Sequence, residues 1–457
     1  LSYFKLKERN TTLKREIVAG ITTFMTMAYI IFVNPAVLSS GGATGIPFES
    51  AVIATCLGAG VMSILMGLIS NTPFALASGM GINAVVTFTI ILGLGLSWQQ
   101  AMGIIVIEGL LVLLMVLTKL RMILMNAIPM GLKYAIGVGI GLFIAFIGAQ
   151  EAGFVAIDPV TAVKLGDFTA NYTLLAAFGL VLTVILVCYK IRGAILIGIL
   201  GTTVAGMIFR VIPLPKQYLS LPTAESFSTF FKADIVGAVW NKGMLNVAAI
   251  VMIFALFMTD FFDTMGTVIG VGEEAGLLDN KGNLPSLRRV LLIDSSAAVV
   301  GGLFGCSSIT TYIESASGVS EGGRTGIMPT TTGILFILSI FFAPVIAVIG
   351  GGVPIAEGVY KYPVTAPALI IVGFLMMSII SKIDFKDFEI GIPAFLTIII
   401  MPFTYNISYG IGFGFISYTL IKLFRGKFKQ VHPLMIVSSI LFAVAFVAIA
   451  LAKRFTK

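Results

Sequence analysis

Apolar runs of roughly 18 to 25 residues, parted by short polar breaks, follow one another along nearly the whole chain. About 20 such residues are needed for a helix to cross the roughly 30 Å of hydrocarbon in a bilayer. The pattern predicts an all-α polytopic membrane protein with about fourteen spans. They fall at 15–38, 50–70, 74–95, 99–118, 131–149, 173–189, 193–212, 247–271, 288–305, 307–320, 326–349, 363–381, 387–403 and 406–423. A further apolar run at 433–452 is ambiguous. If it crossed, Lys453, Arg454 and Lys457 would lie outside, so it is expected to lie along the membrane.

Two of these segments are broken. Residues 73–83 and 307–318 carry too much Pro, Gly, Ser and Thr for smooth helices. Irregular backbone is tolerated at bilayer depth only where protein buries it or a polar cavity satisfies it. The runs Phe74-Ala75-Leu76 and Ser308-Ile309-Thr310-Thr311-Tyr312 are expected to pair as short strands. Each should lead into a half-helix, starting near Gly81 and Glu314, whose N-termini offer free N–H groups. The two segments also belong to a repeat. Phe24-Met25-Thr26-Met27 returns as Phe257-Met258-Thr259-Asp260 at an offset of 233, and the broken segments lie at nearly the same offset. Seven spans per copy is an odd number, so the second copy starts on the opposite side of the membrane: a seven-plus-seven inverted repeat.

Composition sharpens this picture. Of 457 residues 58% are hydrophobic and 11% charged, against about 25% charged in soluble domains. The net charge of +8 raises the question of nucleic acid. Its distribution answers no: Lys5 to Arg15, Lys119 with Arg121, Lys190 with Arg192, Arg288 with Arg289, and Lys422 to Lys429 all fall on one side when the N-terminus is inside. The expected location is the bacterial cytoplasmic membrane, N-terminus cytoplasmic, with no cleavable leader in the basic stretch Leu1 to Arg15. Cys56, Cys188 and Cys306 show no metal or redox spacing. The single histidine, His432, lies in a basic loop, which leaves proton handling within the membrane to carboxylates.

Three carboxylates stand out. Glu314 sits between apolar segments, where a charge costs about 2.5–3.5 kcal/mol on insertion scales and marks a substrate or ion path. Asp260 and Asp263 lie one turn apart on one helix face, where burial and like charge favour a retained proton. Phe257, Phe261 and Phe262 could offer a ring face, although packing explains them as well. Glu108 could reach the site or pair with a neighbouring helix. Asp294 reads as a cap or a partner of Arg288 and Arg289, and Glu321 with Arg324 as a structural link. Gly79-Met80-Gly81-Ile82-Asn83-Ala84 lacks the βαβ context of a nucleotide fingerprint.

These motifs carry a resemblance. Thr310-Thr311-Tyr312-x-Glu314 resembles the tenth-span signature of uracil permeases. Asp260-Phe261-Phe262-Asp263-Thr264-Met265-Gly266-Thr267, Gly79 to Ala84 and Gly322-Gly323-Arg324-Thr325-Gly326 resemble the AzgA-like adenine, guanine and hypoxanthine permeases of the nucleobase–ascorbate transporter superfamily. Departures from the uracil pattern at Ile313, Ser315, Asp260 and Thr264 fit the purine branch. The resemblance implies a core domain (15–119 and 247–350) and a gate domain (120–214 and 351–424). A cytoplasmic segment 1–14, an extracytoplasmic connection 215–246 and a tail 425–457 complete the chain. It implies a homodimer through the gate, elevator-like movement and proton symport, with sodium the lesser choice and no cofactor. Residue by residue, Glu314, Asp260, Asn83 and Tyr312 become substrate-binding residues, and Asp260, Asp263 and Glu314 the proton-coupling groups. Ile313, Gly81 and Thr26, the repeat partner of Thr259, complete the substrate set. The expected partners are a purine nucleobase and the lipid bilayer, with no metal and no nucleic acid. Other readings are a transporter of uracil or xanthine, an anion transporter or channel of the same architecture, and an intramembrane aspartyl protease using Asp260 and Asp263.

Overall fold

The computed structural model describes residues 2–118, 128–241, 244–279, 284–356 and 359–455. Lys119, Arg121 and Lys457 lie outside the described residues, as do the side chains of Phe262, Lys453 and Arg454. The chain is largely helical. In order come α1 (Leu13–Met27), α2 (Ile30–Ser39), α3 (Phe48–Leu65), β1 (Leu76–Ser78), α4 (Met80–Ala84), α5 (Trp98–Leu117) and α6 (Met130–Glu151). A hairpin of β2 (Val155–Asp158) and β3 (Ala162–Leu165) leads to α7 (Asn171–Cys188), α8 (Ala194–Ile208) and α9 (Ile235–Val239). After β4 (Trp240–Asn241) and β5 (Met244–Leu245) follow α10 (Val247–Glu274), α11 (Leu287–Phe304), β6 (Ile309–Thr311), α12 (Ser315–Ser320), α13 (Ile327–Ser339) and α14 (Ala343–Gly350). The chain ends with β7 (Val353–Ala356), β8 (Val359–Lys361), α15 (Ala366–Met377), α16 (Phe388–Thr404), α17 (Ile407–Phe424) and α18 (Pro433–Phe455).

Eight of the described helices are long and apolar enough to cross a bilayer, which makes this a multi-pass membrane protein. Shorter apolar helices include Met80–Ile91, where a π-helical stretch prolongs α4, and Ala366–Lys382. The run at 433–452 is helical, within α18.

The first span is not the smooth helix expected over 15–38. It breaks at Ala28 and Tyr29, between α1 and α2. The hydroxyls of Thr23 and Thr26 donate back to Ala19 and Thr23 carbonyls, both at 2.9 Å, and such bonds compete with the helix ladder. Pro35 supplies no N–H for the Ile31 carbonyl one turn earlier. The break turns Tyr29, 1% exposed, into the interior.

The two broken segments meet as expected. β1 and β6 pair antiparallel, Leu76 opposite Thr311, Ala77 opposite Thr310 and Ser78 opposite Ile309. Gly79 N–H to the Ser308 carbonyl (2.9 Å) and Tyr312 N–H to the Ala75 carbonyl (3.0 Å) extend the ladder at either end. Because the strands are antiparallel, α4 and α12 leave from opposite ends, and two helix N-termini flank the pair. Around this centre α3 packs on α13, α5 on α11, and α1 on both α12 and α13, while α6 packs on α15 and α16. The α1–α12 contact is close because Gly318 has no side chain; a Cβ there would stand 2.6 Å from the Ala19 carbonyl oxygen and collide with Thr23.

At the end where the chain begins, Glu16 is fully buried and accepts from Arg324 N–H at 2.8 Å. Arg9 donates to the carbonyls of Asn71 and Arg324, and Asn71 accepts from Gly326 N–H at 2.9 Å. The segment Gly322 to Gly326 is thereby tied to both the N-terminal stretch and the first broken segment. Glu321 and Arg324 are not joined to each other: Glu321 pairs with Arg192, and Arg324 donates to the carbonyls of Val319 and Gly323. The three-residue step between them turns through Gly322 at φ 97°, which sends the two side chains apart.

Candidate functional site

β6 is Ile-Thr-Thr, and its two hydroxyls would be costly at this depth without partners. Asp294, on α11 and 1% exposed, supplies them. Its Oδ1 accepts from Thr311 N–H at 2.8 Å and Thr311 hydroxyl at 2.6 Å, and its Oδ2 accepts from the Thr264 hydroxyl at 2.8 Å. The Thr310 hydroxyl lies 2.8 Å from that of Thr264. Asp294 is therefore an anchor of the broken segment, not a cap or a partner of Arg288 and Arg289; it lies about two turns into α11, facing inward. β1 is held differently. The Leu76 N–H donates to Ser63 Oγ at 2.8 Å, the Ser63 hydroxyl donates to the Leu76 carbonyl at 3.0 Å, and Ala75 N–H donates to Ser315 Oγ at 3.0 Å.

On this frame Glu314 opens α12 and stays half-buried. Tyr29, at the break of the first span, donates to its Oε1 at 2.8 Å. Tyr312, 6% exposed, turns its hydroxyl to the Ser78 carbonyl and so bridges the heads of the two half-helices. Thr26 lies 2.9 Å from the Ser317 hydroxyl, joining α1 to the first turn of α12. Gly81, in α4, allows a close approach of α6: a Cβ would stand 2.7 Å from Ile140 Cγ2. Asn83 is fully buried with neither amide atom hydrogen-bonded.

The long helix α10 packs against β6, α4 and α12, and carries the two aspartates. Asp260, 1% exposed, lies one turn before Thr264 on the face toward β6, with neither oxygen hydrogen-bonded. Its foremost charged neighbour is Glu108 of α5, fully buried and equally without a hydrogen bond; Asp294 and Asp263 follow. Asp263, one turn along α10 from Asp260, is exposed, and Asp294 and Glu314 are its nearest charged influences. Beside it Ile313 is 54% exposed, and no atom lies within 4 Å of a Cβ position on Gly266, so this side of α10 borders open space. Three buried polar side chains without hydrogen-bond partners, Asn83, Asp260 and Glu108, lie beside a broken backbone and next to open space, and so leave donors and acceptors free for a ligand.

Comparison with known proteins fits this geometry. The sequence profile of the Permease family matches residues 14–413. The chain belongs to this family. A guanine/hypoxanthine permease of Bacillus subtilis, PbuO, is 41% identical over 442 residues, covering 96% of this chain and 98% of that protein. The adenine permease AdeP of Escherichia coli is 38% identical over 446 residues, covering 98% and 95%. The resemblance to the nucleobase–ascorbate superfamily is thus borne out, and this permease is not an enzyme. The transmembrane domain of a cyanobacterial bicarbonate transporter, BicA, shares the fold: TM-score 0.61 at 15% identity, over 87% of this chain and 97% of that one.

Two parts of the permease's site are invisible in local sequence. Tyr29 looks like one aromatic among many in an apolar run, and its link to Glu314 spans 285 residues. Ser63 is one of three hydroxyl residues in a mostly apolar helix, beside Ser50 and Thr55, and nothing nearby in sequence marks it as the one that clamps a strand thirteen residues on.

Proposed function

We propose that this permease imports purine nucleobases, guanine and hypoxanthine or adenine, in symport with a proton. Supporting this reading are the names of its full-length relatives and the chemistry of the centre. Hypoxanthine and guanine present N1–H as a donor, and guanine adds an exocyclic amine. An ionised Glu314 accepts from such an edge, each bond to a charged acceptor being worth about 1.5–3 kcal/mol. Asn83 both donates and accepts, which suits the mixed opposite edge of the ring. The observation that carries the reading is Asn83 itself: a fully buried amide with no partner, on the half-helix facing Glu314 across the strand pair.

The coupled proton belongs to the acidic cluster. Asp260 and Asp263 were the expected pair; Glu108 joins Asp260 from a separate helix, and no Lys or Arg bonds to any of them among the described residues. Carboxyl groups so crowded share protons as a set. A potential of about 100 mV adds roughly 2.3 kcal/mol per charge, or about 50-fold accumulation. The wider arrangement follows the resemblance: fourteen spans, core and gate domains, a dimer through the gate, elevator-like exchange and an inside N-terminus in the bacterial cytoplasmic membrane.

Uptake of labelled hypoxanthine, guanine, adenine and uracil by permease-deficient cells tests substrate class. Purine uptake, unaffected by excess uracil and lost when a protonophore collapses the proton gradient, is expected. Competition by uracil alone would overturn it.

A further inference from the structure

A second polar cavity lies away from this centre. The end of α6, the strand β8, the stretch after α2 and the prolonged half-helix after α4 enclose about 220 Å³, and no residue of the central site lines it. Its walls are aromatic: Phe88, Tyr360, Tyr362 and Tyr405. Tyr405 is held in place, its ring edge-on to Phe88 at 5.5 Å and to Phe143 at 5.2 Å, its hydroxyl donating to Gln150 Oε1 at 3.0 Å. Lys361 is occupied as well, donating to the Gln150 carbonyl at 2.6 Å.

Glu151 is not. Its Oε2 is buried with no hydrogen bond, and it forms no ion pair although Lys361 is its charged neighbour. The Tyr362 hydroxyl, in a residue 5% exposed, is also without a partner. A carboxylate oxygen left bare at such a place costs free energy that a ligand donor would recover. Flat aromatic walls with one free acceptor and one free hydroxyl match an uncharged planar heterocycle bearing adjacent N–H and acceptor positions. A small anion would meet Glu151, and an acyl chain would leave both polar groups unmet. The described residues hold no cluster suited to a metal ion.

We infer that this cavity is a second nucleobase subsite, a docking station on the route to the central one. The inference rests on the purine reading. Phe88, in its wall, stands five residues beyond Asn83 on the same half-helix, about 7.5 Å of axial rise. One helix therefore joins the two places.

Equilibrium dialysis of the purified permease with labelled hypoxanthine tests this. The wild type should bind two molecules per chain in a tight and a weak component. Glu151→Gln and, independently, Tyr362→Phe should weaken the second roughly tenfold or more and leave the tight component intact. Glu314→Gln should remove the tight component and leave the weak one. A single component in the wild type, or two components unchanged in both cavity variants, overturns the subsite while the purine reading stands. If the wild type binds no nucleobase, the purine reading falls, and this inference with it.

Discussion

An offset of 233 residues carries Leu76–Ser78 onto Ile309–Thr311, residue for residue, and beyond the strands it carries Gly81 onto Glu314. The two copies share a backbone and differ in what hangs from it. In the first copy the strand is apolar, one serine hydroxyl clamps it, and the position after it is a glycine against which Ile140 packs. In the second copy the strand is threonine-rich, a buried aspartate anchors it, and the matching position is a carboxylate held by one tyrosine. The first copy presents a smooth wall with Asn83 behind it; the second presents charge. Two segments at one sequence offset thus present unlike surroundings, and the proposed purine would meet a different chemistry at each of its edges.

The largest effect is expected from erasing that asymmetry. Glu314→Gln removes the charged acceptor and should weaken hypoxanthine binding by about 3 kcal/mol, roughly 100-fold, in dialysis, with the protein folded as before. Asp294→Asn strikes the anchor. One of its oxygens becomes a donor facing donors already in place, so about 2–4 kcal/mol of stability should be lost, read as a lower unfolding temperature in detergent, together with reduced uptake. Gly81→Ala puts a methyl group into Ile140 and should cost about 1–3 kcal/mol, with slower transport than binding because α4 and α6 meet there.

How much of this was legible in the sequence depends on the length scale. The strand pair was readable because β-leaning residues stood between Gly, Ser and Pro at a depth where a helix was otherwise expected, although the first strand was expected at 74–76 and lies at 76–78, while the second, expected within 308–312, lies at 309–311. Glu314, Asp260 and Asn83 were readable as polar residues in apolar surroundings. Their partners were not. Asp294 was indistinguishable from a helix-end charge near Arg288 and Arg289, since only the fold brings Thr264 and Thr311 to it. Glu108 was readable only as one of two options, reaching the site or pairing with a neighbouring helix, because it meets Asp260 from a helix more than a hundred residues earlier. The break at Tyr29 arises from threonine back-bonding and Pro35 together, a sum that apolar periodicity alone does not display.

The smallest effect lies away from both broken segments. Asp158, at the end of β2, accepts from the N–H groups of Thr161 and Val160, and these bonds hold its carboxyl below the usual carboxylate range. A lowered folded value means the contribution is fully present above the ordinary pKa near 3.9 and is lost as pH falls through the folded value. Hydrogen exchange at Val160 and Thr161 should therefore be unaffected by pH-driven opening between about pH 5 and 8 and rise only under strongly acidic conditions. Asp158→Asn should abolish that acid dependence and leave uptake unchanged.

The most direct measurement is a structure of the permease with hypoxanthine bound. The account predicts the base edge within about 3.2 Å of the Glu314 carboxylate, its far edge at the Asn83 amide, beside the β1–β6 pair. A base bound elsewhere, with Glu314 bonded to Tyr29 alone and Asn83 still unpaired, would contradict it.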